Sequence, residues 1–148
     1  IGSLMDEYEK ALSELKAVLL TVSVESYTQI VEGESEHCCS IEVIMNHVVG
    51  AGRRYSNYIR EALSMETFPV IEKKIAPGEI TSELDQMFAY TVEVFDGRWK
   101  DLDKEMTSVY MDSRWGVRYN IDQMLEHAIV HTLRHRRQIE KFILINAQ

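Results

Sequence analysis

The run His127-Ala-Ile-Val-His131-Thr-Leu-Arg-His135-Arg-Arg-Gln138 holds three of the chain's five histidines, each four residues after the last. Four residues of an α-helix advance about 400°, so the rings stack on one face with a drift of about 40° per step. Met124, Ala128, Gln138, Phe142 and Ile145 share that face, which is mostly apolar and is expected to point into a core. Two imidazoles one turn apart on such a face can grip one metal ion. The plainer alternative is a helix with hydrogen-bonded core histidines. Three in register favour metal.

Upstream of this run, Asn120 with Gln123 three residues on predicts a capping box, so the fourth long helix is expected from there to about Ile145. From Thr107 to Tyr119 the helical period fails. Val109 and Met111, then Val117 and Tyr119, alternate around Asp112-Ser113-Arg114-Trp115-Gly116, which predicts a small β-hairpin packed on the helices. A third helix is expected from Thr81 or Ser82 to about Lys104. Leu84, Met87, Phe88, Thr91, Val94, Phe95 and Leu102 form its buried face, and Ser82 with Asp85 resembles a capping box. Ser64 to Gly78 contains Phe68-Pro69 and Pro77-Gly78 and reads as a connection. It is long enough to run back along the second helix and start the third parallel to it. That second helix is expected from a Ser40 cap to Leu63, with Ile44, His47, Ala51, Tyr55, Tyr58 and Ala62 facing inward. Gly50 and Gly52 weaken it locally and suit close approach by another element. Leu4, Tyr8, Leu12, Leu15, Leu19 and Val22 mark a first amphipathic helix at about residues 3–21. Ser23 is expected to cap a short helix through Ile30, with Gly33 and the polar stretch Glu34–Cys39 after it.

Four long amphipathic helices predict an all-α four-helix bundle, and 148 residues suit a single domain, 1–148. Ile1 to Leu4 precede Met5, which reads as the natural start. The net charge of −8 argues against a nucleic-acid partner. The best basic patch, Arg134, Arg136, Arg137 and Lys141, is short, includes Glu140 and reads as a solvated helix face. Cys38 and Cys39 are adjacent, which strains a disulfide between them, so a reducing, cytoplasmic home is expected. No apolar run nears the roughly 18 residues of a membrane span, and no signal peptide is visible.

Bundles build metal sites from side chains on facing helices. His131 and His135 offer two ligands from the fourth helix and His47 a third from the second. Three protein ligands and an open position form the catalytic pattern for zinc. The outer two rings of the histidine run sit about 12 Å apart along the axis, so His127 is expected in the pocket wall or behind a ligand. Gln138 and Tyr58, on the same helical faces, are candidates to hydrogen-bond substrate or bound water. His37 is expected at the surface. Di-iron sites need paired Glu-x-x-His motifs, and the only one is Glu34-x-x-His37 in a connector. The hemerythrin pattern fails at Ala51, where a carboxylate is needed.

Ser40-Ile-Glu-Val-Ile-Met-Asn-His47 resembles the second-helix motif of the DinB/YfiT-like metal-binding proteins, and His127-x3-His131-x3-His135-Arg-Arg-Gln138 is similar to their fourth-helix motif, H-x3-H-x3-H-R-G-Q. Cys39 stands where that family often has tryptophan, and Arg137 replaces the usual glycine. The resemblance covers essentially the whole chain. It implies metal ligands at His47, His131 and His135, an up-down-down-up bundle with a long connection between helices 2 and 3, and a homodimer. It also implies a divalent-metal enzyme acting on a small molecule, with a low-molecular-weight thiol transferred to an electrophile. A metal-dependent hydrolase and a non-catalytic metal-binding bundle are the alternatives. Zinc is the first candidate ion, with nickel, manganese or iron behind it.

Overall fold

In chain order the structure, a computed structural model that describes residues 1–146, runs α1 (Gly2–Leu19), α2 (Val24–Thr28), α3 (Ile41–Ala62), α4 (Ile80–Val92), α5 (Trp99–Glu105), β1 (Tyr110–Asp112), β2 (Arg118–Asn120) and α6 (Ile121–Asn146). The helices that carry the histidines start where local chemistry says they should. Ser40 Oγ accepts from Val43 N–H at 3.2 Å, satisfying a first-turn donor of α3. At α6 the cap is reciprocal: Asn120 Oδ1 accepts from Gln123 N–H at 2.8 Å, and Gln123 Oε1 accepts from Asn120 N–H at 3.0 Å. Ser23 caps α2, which ends at Thr28, two residues before the expected Ile30.

The long helices pack in a ring in which α1 and α3 each touch both α4 and α6. Side-chain pairs give the directions. Gly52 lies against Met87, Ser56 Oγ is 2.7 Å from Thr91 Oγ1, and Arg60 reaches Glu93 at 2.9 Å, so α3 and α4 run parallel. The segment between them makes this possible. It leaves α3 at Leu63, passes Asn57, whose Nδ2 donates to Phe68 O, and arrives beside Asn46, whose Oδ1 accepts from Ile75 N–H. Ile75 is buried, and its carbonyl accepts from the Tyr27 hydroxyl, so α2 clamps the returning strand of chain. Across α1 and α4 the pairs Tyr8–Phe88 and Lys16–Asp85 run in opposite senses. Leu15, Ile44, Met45, Leu84, Met87, Ile121, Met124 and Phe142 are wholly buried at the centre, each contributing about 1.5–3 kcal/mol of transfer free energy.

The structure corrects two expectations. The helix foreseen up to Lys104 is two helices, broken over residues 93–98, where Gly97 takes φ +68°. Val94 and Phe95 remain fully buried across the break, so apolar spacing persists where the helix does not. Ser82 is not a cap. α4 begins at Ile80 after Glu79, and Ser82 Oγ accepts from Gln86 Nε2 one turn on. The hairpin forms as expected, pairing Met111 with Tyr119. Ser113 closes its turn, donating its hydroxyl to Val117 O at 2.7 Å and accepting from Val117 N–H at 3.1 Å. Buried Met111 anchors an element that is marginal by itself. Gly50 and Gly52 also separate. A Cβ at Gly52 would overlap Met87 Sδ, so this is the close approach; at Gly50 the neighbour is the Arg54 guanidinium of the same helix.

Candidate metal centre

His47 lies on α3 where it faces α6, and His131 and His135 occupy successive turns of α6. The antiparallel pairing brings the three rings to one point. His47 Nε2 and His131 Nε2 are 2.9 Å apart, the ring centroids lie 4.5–5.0 Å from one another, and one nitrogen from each ring falls within 4.8 Å of the others. No carboxylate or thiol joins this group among the described residues. His135 is buried, His131 half-buried, and His47 sits at the solvent edge.

Electrostatics keeps these imidazoles neutral. Burial lowers the His47 pKa to about 4, helped by the repulsion a second proton on His135 would bring and by the charges of Arg54, Arg114 and Arg134. Burial likewise lowers His131 to about 3, with His135, His47, His127 and Arg134 adding to it. His135 is also lowered, by burial first. Two neutral ring nitrogens facing each other at 2.9 Å must share a proton or a cation. Zinc–imidazole bonds of about 2.0–2.1 Å would span such a gap. The donor set therefore fits a divalent ion with three nitrogen ligands.

Gln138 stands behind His135. Its Oε1 is 3.1 Å from His135 Nδ1, so the amide oxygen accepts the Nδ1 proton and leaves Nε2 with its lone pair. His127 is outside the three-ring group. Its centroid is 6.3 Å from that of His131, and it is enclosed by Tyr55 at 5.2 Å, Tyr119 at 5.4 Å and Trp115 stacked at 5.5 Å. Tyr58 is not against the histidines. Its hydroxyl accepts from Arg114 N–H at 3.1 Å and ties the hairpin turn to α3. His37 is exposed beside Glu36.

Three features escape sequence reasoning. Tyr55 lies edge-on to both His127 and His131, and burial raises its hydroxyl pKa to about 12. Its spacing of eight from His47 on one face was the available signal. Trp115 arrives from the hairpin turn, and no helical period could announce it. The third is a cavity of about 610 Å³ that opens beside His47, between α3, residues 70–75 and Arg114.

A family model described as the DinB family matches residues 3–143. No curated protein and no solved structure matches the chain.

Proposed function

The chain belongs to the DinB family, and from that premise we propose a divalent-metal-dependent enzyme that transfers a thiol to an electrophilic small molecule. His47, His131 and His135 are the proposed ligands, and zinc is the first candidate ion. The reading as an up-down-down-up four-helix bundle is supported by the parallel α3–α4 pairs and the opposed α1–α4 pairs. The cluster of three neutral imidazoles at the edge of an open cavity carries the proposal. Three protein ligands would hold a divalent ion and leave it a position for substrate.

A bound divalent ion would supply the positive charge that acidifies a thiol. The chain supplies the rest. Gln138 holds the proton of His135 on Nδ1, so the ring cannot turn its lone pair away. Tyr55 and His127 wall the centre on one side and limit water there. The free thiols Cys38 and Cys39 support a reducing, cytoplasmic setting, and no described helix is long and apolar enough to cross a membrane.

Elemental analysis of freshly purified protein should find about one divalent ion per chain. A panel of low-molecular-weight thiols with a chromogenic electrophile should then give turnover that chelation abolishes. Ester or amide hydrolysis without thiol would replace this reading with a hydrolase. Metal without any turnover would leave a binding protein.

A further inference from the structure

The cavity beside His47 has an uneven charge. Five cationic and three acidic side chains line it, in a chain whose net charge is −8. Most of these charges are already committed. Glu83 is buried between Arg53 at 2.9 Å and Lys73 at 2.6 Å, and Lys74 turns to Glu42 at 3.9 Å. Arg54 and Arg114 are different. The Arg54 guanidinium lies back along α3 over Gly50, where a Cβ would stand 3.4 Å from Nη2 and 3.5 Å from Nη1. Gly50 is one turn from His47, and His47, Gly50, Arg54 and Arg114 line the same cavity. The one carboxylate neighbour of Arg54, Glu72, is 3.6 Å away on a side chain 85 % exposed, a partner easily displaced. Arg114 enters from the hairpin turn, held by its backbone N–H to Tyr58. The hairpin's own acid, Asp112, pairs with Arg118 at 4.0 Å, and no carboxylate of the described residues pairs with Arg114.

Three imidazoles bring no negative charge to a divalent ion, so the centre and the two arginines leave excess positive charge around one cavity. Guanidinium forks match the geometry of carboxylates and phosphates. We propose that Arg54 and Arg114 form an anion subsite beside the metal centre, which takes the oxyanion end, carboxylate or phosphate, of an acidic small-molecule substrate. The subsite deepens the enzyme reading above and rests on it for the reacting end of that substrate.

Calorimetric titration of the protein as purified and after metal removal tests the subsite, with succinate, inorganic phosphate and neutral succinamide as probes. Succinate or phosphate should bind and succinamide should not; the preferred anion identifies the oxyanion. Arg54→Gln and Arg114→Gln should each weaken that binding roughly tenfold or more. Arg114→Lys should retain part of it. Lys74→Gln, which removes a cation of the same cavity that faces Glu42, should change it less than about twofold. Metal content should be unchanged in every variant. Absence of anion binding to the parent, or equal affinity in Arg54→Gln, Arg114→Gln and the parent, overturns the subsite. Anion binding by a protein that carries no metal as purified and takes up none from added zinc would instead overturn the metal reading and leave the subsite standing.

Discussion

Each histidine of the α6 run stands in a different environment, so single substitutions separate their roles. His47→Ala, His131→Ala and His135→Ala each remove one nitrogen from the three-ring group, and metal retained after dialysis should fall to near zero. His127→Ala removes a ring stacked on Trp115, outside the group, and should leave about one ion per chain. Gln138→Ala should keep the ion but weaken it roughly 10–100-fold, as expected for loss of the group that orients a ligand ring. An emptied site in His127→Ala with a filled one in His135→Ala would place the ion one turn earlier. The convergence of these histidines was legible in the sequence, since the α6 pair follows from spacing and His47 from its place on the inward face of α3. The surrounding rings and arginines were not, because Trp115 and Arg114 reach the site from a hairpin turn that has no period. A different pH dependence belongs to Glu83. Hydrogen bonding from Lys73, with the Arg53 charge, holds its carboxyl below the ordinary 4.5. A carboxyl depressed in the folded state stabilises the fold above the unfolded pKa and loses that contribution as pH falls through the folded value. Thermal melts from pH 6 down to about 3 should therefore fall more steeply for the parent than for Glu83→Gln. Parallel curves would remove Glu83 from the acid response.

At the scale of elements, caps were the most readable features. Ser23, Ser40 and Asn120 all work as their residue types dictate, because a cap is a local contract between a side chain and the next turn. The Asp96-Gly97 break was hidden because Val94, Phe95 and Leu102 stay buried through it and keep the look of one helical face. Ser82 failed as a cap because Ile80, two residues earlier, is already buried and helical. The α3–α4 contact turns on Gly52. Alanine there gains up to about 1 kcal/mol of helix propensity but sets a Cβ against the wholly buried Met87, 2.9 Å from its Cγ. Overpacking of this kind costs about 1–3 kcal/mol. Urea unfolding of Gly52→Ala should show a lower midpoint with an unchanged slope, and Gly52→Ala/Met87→Ala should recover little, since a cavity replaces the clash. A higher midpoint in the single variant would mean that Met87 swings aside freely.

For the whole molecule, the long connection between α3 and α4 was informative from the sequence, because two parallel helices need a return path of that reach. Its cavity was not, since its walls come from three separate parts of the chain. The outer face of α6 bears on assembly. Val130 is 62 % exposed and Leu144 69 %, with Leu133 beside them at the surface, while Ile145, expected in the core with the histidine face, is exposed near the end of the helix. Apolar residues along one exposed helix face call for a second partner, and we propose a second copy of this chain. Sedimentation should show a dimer for the parent and a monomer for Leu133→Glu. A monomeric parent at tens of micromolar would end the proposal.

The hairpin turn has an optical consequence. Of the chain's two tryptophans, Trp99 packs on buried Phe95, whereas Trp115 is 41 % exposed and stacks on His127, one helical turn from His131. The indole thus stands half in solvent beside the histidine run, with its emission open to changes there. Its fluorescence is a built-in gauge of occupancy that needs no label, and Trp99, half-buried against Phe95 and outside the histidine group, supplies the steady background against which it can be read.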